Sequence, residues 1–293
     1  MRVLVAGATG FLGRAWVRHL REHGHDPVPL VRREGEPGAV VWDPYAGRLD
    51  PKVVDDVDVV ACLTGASVQH LPWSASYKKT FTESRVVPTR VLADAVAVSD
   101  RRPAFVGGNG VAGYGDHGDR VITERTPTDA DTFLGAVTRA WERASDTAAE
   151  AGARVAILRT AIVLDRRGSL LKPLLPVYRA GLGGPIGSGR QYFATISLTD
   201  WLRAATHVAE GGAGAYNLAG PNTTTNREFA RTLGGILHRP AVLPTPAFPF
   251  KLLAAPVASD ILGSARVEPQ RLLDEGFTFE HPTLADRVTA ALA

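Results

Sequence analysis

The sequence predicts an α/β fold in which a doubly wound parallel sheet carries a smaller C-terminal lobe. Three observations predict it. A turn with three glycines, Gly7-Ala8-Thr9-Gly10-Phe11-Leu12-Gly13, stands directly behind the apolar run Val3-Leu4-Val5-Ala6. Short apolar runs then alternate with stretches of helical period as far as about residue 160, the pattern of parallel strands joined by crossover helices. Beyond Leu164 the alternation loosens, which marks a change of architecture.

Each element follows from its local pattern. Behind the glycine turn, Ala15 to Leu20 carries the helical period and Gly24 closes the helix. Pro27 to Val31 reads as a second strand, Ala39 to Trp42 as a third and Val57 to Leu63 as a fourth. A long helix is predicted from about Ser74 to Val98, and a fifth strand at Ala104 to Val106. A loop over 107–128 follows, then a helix over about 131–151 and a sixth strand at Arg154 to Arg159. The tips at Thr64 to Ala66, Gly107 to Gly110 and Thr160-Ala161 fall at the carboxyl edge, where open α/β sheets hold their ligands. Further on come a helix over about 169–180 and a segment, 181–189, with five glycines in nine positions that reads as a mobile loop. A strand-like piece (192–197), a helix (199–209) and a strand (215–218) follow. The division is therefore 1–165 for the nucleotide-binding domain, with 195–220 returning to its sheet, and 166–293 for a discontinuous substrate-binding lobe.

A strand, a tight glycine turn and a helix in that order let the backbone approach a pyrophosphate. The free amides and the positive dipole end of the helix face its charge. This is the arrangement of a Rossmann domain, and it assigns Gly7, Thr9, Gly10, Phe11, Leu12 and Gly13 to a nucleotide. The second strand ends in Arg32-Arg33, about twenty residues past the glycines, where an NAD site usually places an acidic residue for the ribose 2′-hydroxyl. Two guanidiniums pair instead with the extra phosphate of NADP. NADP(H) is the expected cofactor.

The bulk properties exclude several classes. The 293 residues suffice for a substantial core, and 45% hydrophobic with 22% charged residues is ordinary globular composition. A net charge of +3, with no basic run interleaved with aromatics, argues against nucleic acid. The single cysteine, Cys62, lies in an apolar run and cannot form an internal disulfide, which suits a reducing, cytoplasmic setting. No apolar run approaches the roughly 18 residues of a spanning helix, and the first strand begins at residue 2, so neither a membrane span nor a signal peptide is expected. No paired-cysteine or His-Glu-x-x-His spacing points to a metal. His19, His23 and His25 read as a solvated helix end.

The glycine triplet, Leu63-Thr64-Gly65-Ala66-Ser67, Ser84-Arg85, Trp141-Glu142 and Leu158-Arg159-Thr160 together resemble the short-chain dehydrogenase/reductase superfamily, in its atypical, extended branch of nucleotide-sugar-epimerase-like proteins. Leu182 to Gln191 and Leu237-His238-Arg239-Pro240-Ala241 are similar to that branch's own signatures, so the resemblance spans the whole chain. It implies a lobe closing over a small substrate, and it places Leu63, Thr64, Gly65, Arg85 and Thr160 beside the nucleotide.

Most superfamily members transfer hydride with a Tyr-x-x-x-Lys pair and a nearby Ser or Thr. None of the six tyrosines here has a lysine four residues on. The pair should fall near Val137 and Trp141, and the hydroxyl within Gly108-Asn109-Gly110. Relatives also tend to have His at Ser197 and Gly at Ala161. Candidates for surviving chemistry are Asn109 and Tyr114 after the fifth strand, and Gln191 and Tyr192 after the glycine-rich loop. The leading expectation is an NADP(H)-binding enzyme acting on a small organic molecule, with reductase or epimerase ancestry. A non-redox cyclase or isomerase on the same fold and a non-catalytic NADPH-binding or sensing protein stay open, as does homodimerisation.

Overall fold

A computed structural model describes residues 1–35, 38–50, 52–244 and 262–293. In chain order the first half contains β1 (Arg2–Ala6), α1 (Phe11–Glu22), β2 (Asp26–Val31), β3 (Val40–Val41), α2 (Lys52–Asp55), β4 (Val59–Cys62), α3 (Ala75–Val98), β5 (Ala104–Gly110), β6 (Val121–Ile122), α4 (Phe133–Arg143), α5 (Asp146–Glu150) and β7 (Val155–Thr160). The second half contains β8 (Ile162–Leu164), α6 (Leu171–Arg179), β9 (Tyr192–Phe193), β10 (Thr195–Ser197), α7 (Leu198–Gly211), β11 (Gly214–Leu218), β12 (Thr224–Thr225), α8 (Asn226–Ile236), β13 (Arg266–Val267), α9 (Gln270–Asp274) and α10 (Leu284–Leu292).

Seven strands form one parallel sheet in the order β11-β7-β5-β4-β1-β2-β3. The winding reverses between β1 and β4, which opens a crevice at their carboxyl ends. Alternate strand residues feed opposite cores, since successive side chains point to opposite faces. Val3, Val5, Val106 and Leu158 meet α1 and α7 through Trp16, Leu20, Trp201 and Val208. Leu4, Val60, Phe105 and Cys62 meet α2, α3 and α5 through Val54, Leu92, Val96 and Ala148. All four apolar residues of β1 from Val3 are fully buried, as a central strand covered on both faces requires. The indole of Trp16 stacks edge-on against Trp201, 6.4 Å between centroids, and donates to Thr206 Oγ1.

The second lobe has its own core, in which Leu171, Leu175 and Tyr178 of α6, Phe193, Phe229 of α8 and Val288 of α10 pack together. Short strand pairs tie it to the sheet: β8 with β10, β9 with β12, and β6 with β13. Part of the region expected to complete this lobe, 245–261, lies outside the described residues.

Three expectations need correction. Gly107–Gly110 is the end of β5 and not a loop, because its backbone pairs in register with Ile157–Thr160. The helix expected over 131–151 is two: the Ser145 hydroxyl turns back to the Glu142 carbonyl and separates α4 from α5. The strand-like piece at 192–197 breaks at Ala194 into β9 and β10, which pair outside the main sheet. β11 alone of the returning residues joins the main sheet.

Candidate functional site

The glycine turn closes the crevice beside β1, and its three glycines serve different ends. Gly7 adopts φ +85°, and a Cβ there would lie 2.7 Å from the Leu63 carbonyl. A Cβ on Gly13 would lie 2.2 Å from Gly7 O. Those two are glycine because the turn packs on itself and on β4. Gly10 differs: a Cβ would meet only Gly7 O, at 3.2 Å. Gly10 N donates to Gly7 O, and the first intrahelical bond runs from Arg14 N to Gly10 O. No side chain caps α1 and no acidic residue stands in its first turn. The amides ahead of Arg14 therefore face outward beside exposed Thr9, Gly10 and Phe11, where an anion complements the helix dipole. Leu12 is half-buried.

Parallel pairing sets Ala6 opposite Leu30, so the end of β2 lies next to this turn. Arg32 and Arg33 follow it, both exposed and without an ion-pair partner among the described residues. On the other side of β1, Leu63, Thr64 and Gly65 leave β4. Thr64 Oγ1 lies 3.3 Å from the buried Cys62 Sγ, whose pKa burial raises. The next residue is clamped from α3: Ala66 N donates to Ser84 Oγ at 2.9 Å, and Arg85 Nη2 donates to Ala66 O at 3.0 Å. Arg85 has no carboxylate partner among the described residues. Its guanidinium lies 3.6 Å above the Phe81 ring and 5.2 Å from that of Trp141, and burial pulls its pKa down to about 10. Gly65 keeps this place free, since a Cβ would come within 3.0 Å of Arg85 Cζ. Thr160, at the tip of β7, accepts from Trp201 Nε1 at 3.2 Å.

Asn109 and Tyr114 are brought together in one buried network, in which Arg159 Nε has no hydrogen-bond partner. Asn109, Arg159 and Asn217 stand opposite one another on β5, β7 and β11 and so share one face. Asn109 Nδ2 donates to Thr138 O at 3.1 Å and to Glu142 Oε2 at 3.4 Å, and its Oδ1 accepts from Gly110 N. Glu142 Oε1 takes Arg159 Nη2 at 2.9 Å. Arg159 Nη1 donates to Tyr114 Oη at 2.9 Å, and that hydroxyl donates to Asn217 Oδ1 at 2.7 Å. Burial pushes the Tyr114 hydroxyl up, and Arg159 offsets this only in part. Burial also works against the Arg159 charge, but Tyr114 and Glu142 outweigh it and raise its pKa. Asn109 and Tyr114 are both buried, with every side-chain contact inside the protein. Gln191 is elsewhere: its Nε2 donates to Ile186 O, and its backbone carbonyl accepts from Asn226 N, so it fastens the glycine-rich turn to α8.

At the two positions counted for Tyr and Lys, Val137 is buried with Trp73, Phe81, Phe133 and Leu134, and Trp141 donates to Thr89 Oγ1 while packing on Gly108. The nearest part of the site is thus an apolar wall beside the Arg85 cation. From sequence, Glu142 and Arg159 entered only as parts of the motifs Trp141-Glu142 and Leu158-Arg159-Thr160, with no role given, and Asn217 was missed. A charged residue within the apolar run of β7 was the signal for Arg159. Among the described residues no group of three His, Cys, Asp or Glu is placed to hold a metal ion, and no helix is long and apolar enough to cross a membrane.

The profile of the NAD dependent epimerase/dehydratase family matches residues 3–169, and that of a domain of unknown function matches 245–291. Epimerase family protein Mb2239 of Mycobacterium bovis is 34% identical over 288 residues, covering 97% of this chain and 95% of the relative. The human epimerase family protein SDR39U1 has a crystal structure with NADPH that is similar at TM-score 0.89 and 31% identity, covering 99% of each chain. The nucleoside-diphosphate sugar epimerase of Corynebacterium glutamicum is similar at TM-score 0.80 and 30% identity, covering all of this chain and 58% of that one.

Proposed function

The chain belongs to the NAD dependent epimerase/dehydratase family, and from that membership we propose that it is an NADP(H)-binding enzyme acting on a small organic molecule at the carboxyl edge of its sheet. The observation that carries the reading is Gly10, the most open of the three glycines: a Cβ there would meet only Gly7 O, at 3.2 Å, against 2.7 Å at Gly7 and 2.2 Å at Gly13. A pyrophosphate against Gly10 and the outward amides of α1 accounts for it. Arg32 and Arg33, exposed and unpaired at the end of β2, fit the 2′-phosphate of NADP. A human relative crystallised with NADPH at 31% identity supports the same cofactor. When bound, that cofactor supplies hydride. The residues of this chain hold and orient it: Thr64 and Gly65 beside the nucleotide, and Arg85 fixing the backbone of Ala66.

Asn109, Tyr114 and Gln191 are positioning residues in this reading, since each is engaged by its own fold. At the two positions counted for the pair, Val137 and Trp141 offer no acid or base, and a positioned one typically contributes about 10²–10⁴-fold. Reduction of simple ketones is therefore feeble. The same two residues favour, as a second reading, an isomerase or cyclase that keeps the nucleotide as a bound ligand. Calorimetric titration with NADPH and NADH, followed by assays that track product and NADPH absorbance together, tests both. The reading expects tight NADPH binding and slow oxidation with ordinary ketones. Absence of NADPH binding at millimolar concentration, or rapid ketone reduction, overturns it.

A further inference from the structure

The segment that leaves β4 for α3 is pinned at both ends and loose between them. Its near end is Ala66, whose backbone is held by Ser84 and Arg85 of α3. Its far end is Trp73, buried among Phe81, Phe133 and Val137. Residues 67–72 are all exposed, and among the described residues no backbone hydrogen bond ties 67–71 to the rest of the chain. Three side-chain contacts hold the segment instead. Tyr77 Oη donates to Ser67 O, the His70 ring stacks on that of Tyr77 with centroids 3.8 Å apart, and Gln69 Nε2 donates to Ser169 O. The first two return to α3, the helix that the segment leads into. The third reaches the second lobe, just ahead of α6.

Ser169 stands on the opposite side of the crevice from β4. Two residues before it, Arg167 lines a cavity of about 310 Å³ together with Asp165, Arg18 of α1 and Leu198 and Leu202 of α7. The stretch that carries Ser169 therefore lies against α1, the helix that grows out of the glycine turn. The crevice opens between β1 and β4, and the exit of β4 borders the same turn, since a Cβ on Gly7 would lie 2.7 Å from the Leu63 carbonyl. The bond from Gln69 to Ser169 thus runs from the β4 side to the α1 side, across the mouth of the crevice.

We propose that residues 67–72 form a strap over the nucleotide crevice, latched by Gln69 on Ser169, and that NADP(H) enters and leaves only while this latch is open. This rests on the reading that the crevice binds NADP(H), and it adds what controls the exchange. A segment that is exposed and poor in backbone bonds opens at low cost. One exposed hydrogen bond is weak enough to break thermally and strong enough to keep the strap down for most of the time. Both partners of the latch belong to the protein, so the bond contributes alike with the crevice empty or loaded and cancels from the affinity. It acts on the rate of exchange in both directions.

The test uses the full chain, with NADPH association and dissociation followed by stopped-flow fluorescence, affinity by calorimetry and stability by urea unfolding. Gln69→Met keeps the length of the side chain and loses the donor, and Gln69→Ala removes both. Each should raise the association and dissociation rates together by about three- to tenfold, with affinity held within about twofold and the unfolding midpoint unchanged. Tyr77→Phe, which frees Ser67 from α3, should act in the same direction by a smaller factor. Unchanged rates in both Gln69 variants overturn the proposal. So does a rise in dissociation alone, which would make Gln69 a contact of the nucleotide and not a latch. Failure of wild type to bind NADPH strikes the cofactor reading itself, and the strap with it.

Discussion

The glycine turn at the head of α1 and the network beneath β5, β7 and β11 lie at the same edge of the sheet and treat their polar groups in opposite ways. Around the turn, the leading amides of α1, Arg32 and Arg33 have no partner among the described residues. In the network, Asn109, Glu142, Arg159, Tyr114 and Asn217 bond to one another in sequence, with Arg159 Nε the atom left without a partner. Buried polar groups that are mutually bonded rigidify a fold, whereas exposed unpaired ones are free to meet a ligand. Residues of chemical interest at a sheet edge therefore divide by what they already touch, and this division separates binding from support.

The sharpest way to break the comparison is within the turn itself. Gly13→Ala drives a Cβ to 2.2 Å from Gly7 O and should cost about 3 kcal/mol of stability in urea unfolding. Gly10→Val should cost clearly less stability than Gly13→Ala and abolish NADPH binding in the same preparation. Equal damage to stability from both would mean that Gly10 serves the fold alone. Next in size is Glu142→Ala, which strands Arg159. Because Glu142 is 30% exposed, the loss should be about 2 kcal/mol, below that of a fully buried pair. NADPH affinity of the folded fraction should be retained. A smaller effect is expected from Arg32→Ala with Arg33→Ala, which should reduce the preference for NADPH over NADH by about tenfold, or 1.4 kcal/mol, without changing stability. A preference that survives removes them from the site.

The smallest change sharpens the network. Tyr114→Phe deletes one hydroxyl that links Arg159 to Asn217 and should cost about 1 kcal/mol at neutral pH. Burial raises the Tyr114 pKa above its ordinary value of about 10. A group whose folded pKa is raised stabilises fully below the unfolded value and loses that contribution as the pH climbs through the folded one. The gap between wild type and Tyr114→Phe should therefore narrow above about pH 10, as read from unfolding midpoints across the alkaline range. A constant gap would show that Tyr114 does not titrate in this window.

The parts of this arrangement that were legible in the sequence are the local ones. Val3 to Gly13 specifies a strand, a turn and a helix within a dozen neighbours, and the apolar alternation of the first half follows from burial on two faces. Arg32 and Arg33 were legible because the position after the second strand has a fixed relation to the turn. The network was not, because its contacts come from register: Asn109 meets Glu142 33 residues on, and Tyr114 meets Asn217 103 residues on. Nothing local to Asn109 distinguishes a side chain turned into the sheet from one lining a crevice. The β6–β13 pairing, which brings Arg266 over Tyr192, joins two-residue strands too short for periodicity to reveal.

The outermost strand of the sheet, β11, arrives only at residues 214–218, after the second lobe has already begun, and α7 just ahead of it covers Trp16 and Leu20. During synthesis the chain must therefore wait. A ribosome that has released residues 1–165 has produced a sheet with β7 as an open edge and one apolar face bare, the condition that invites intermolecular pairing. The same holds for any attempt to express the nucleotide-binding half by itself. A piece that keeps β7 paired and this face covered has to run past residue 218.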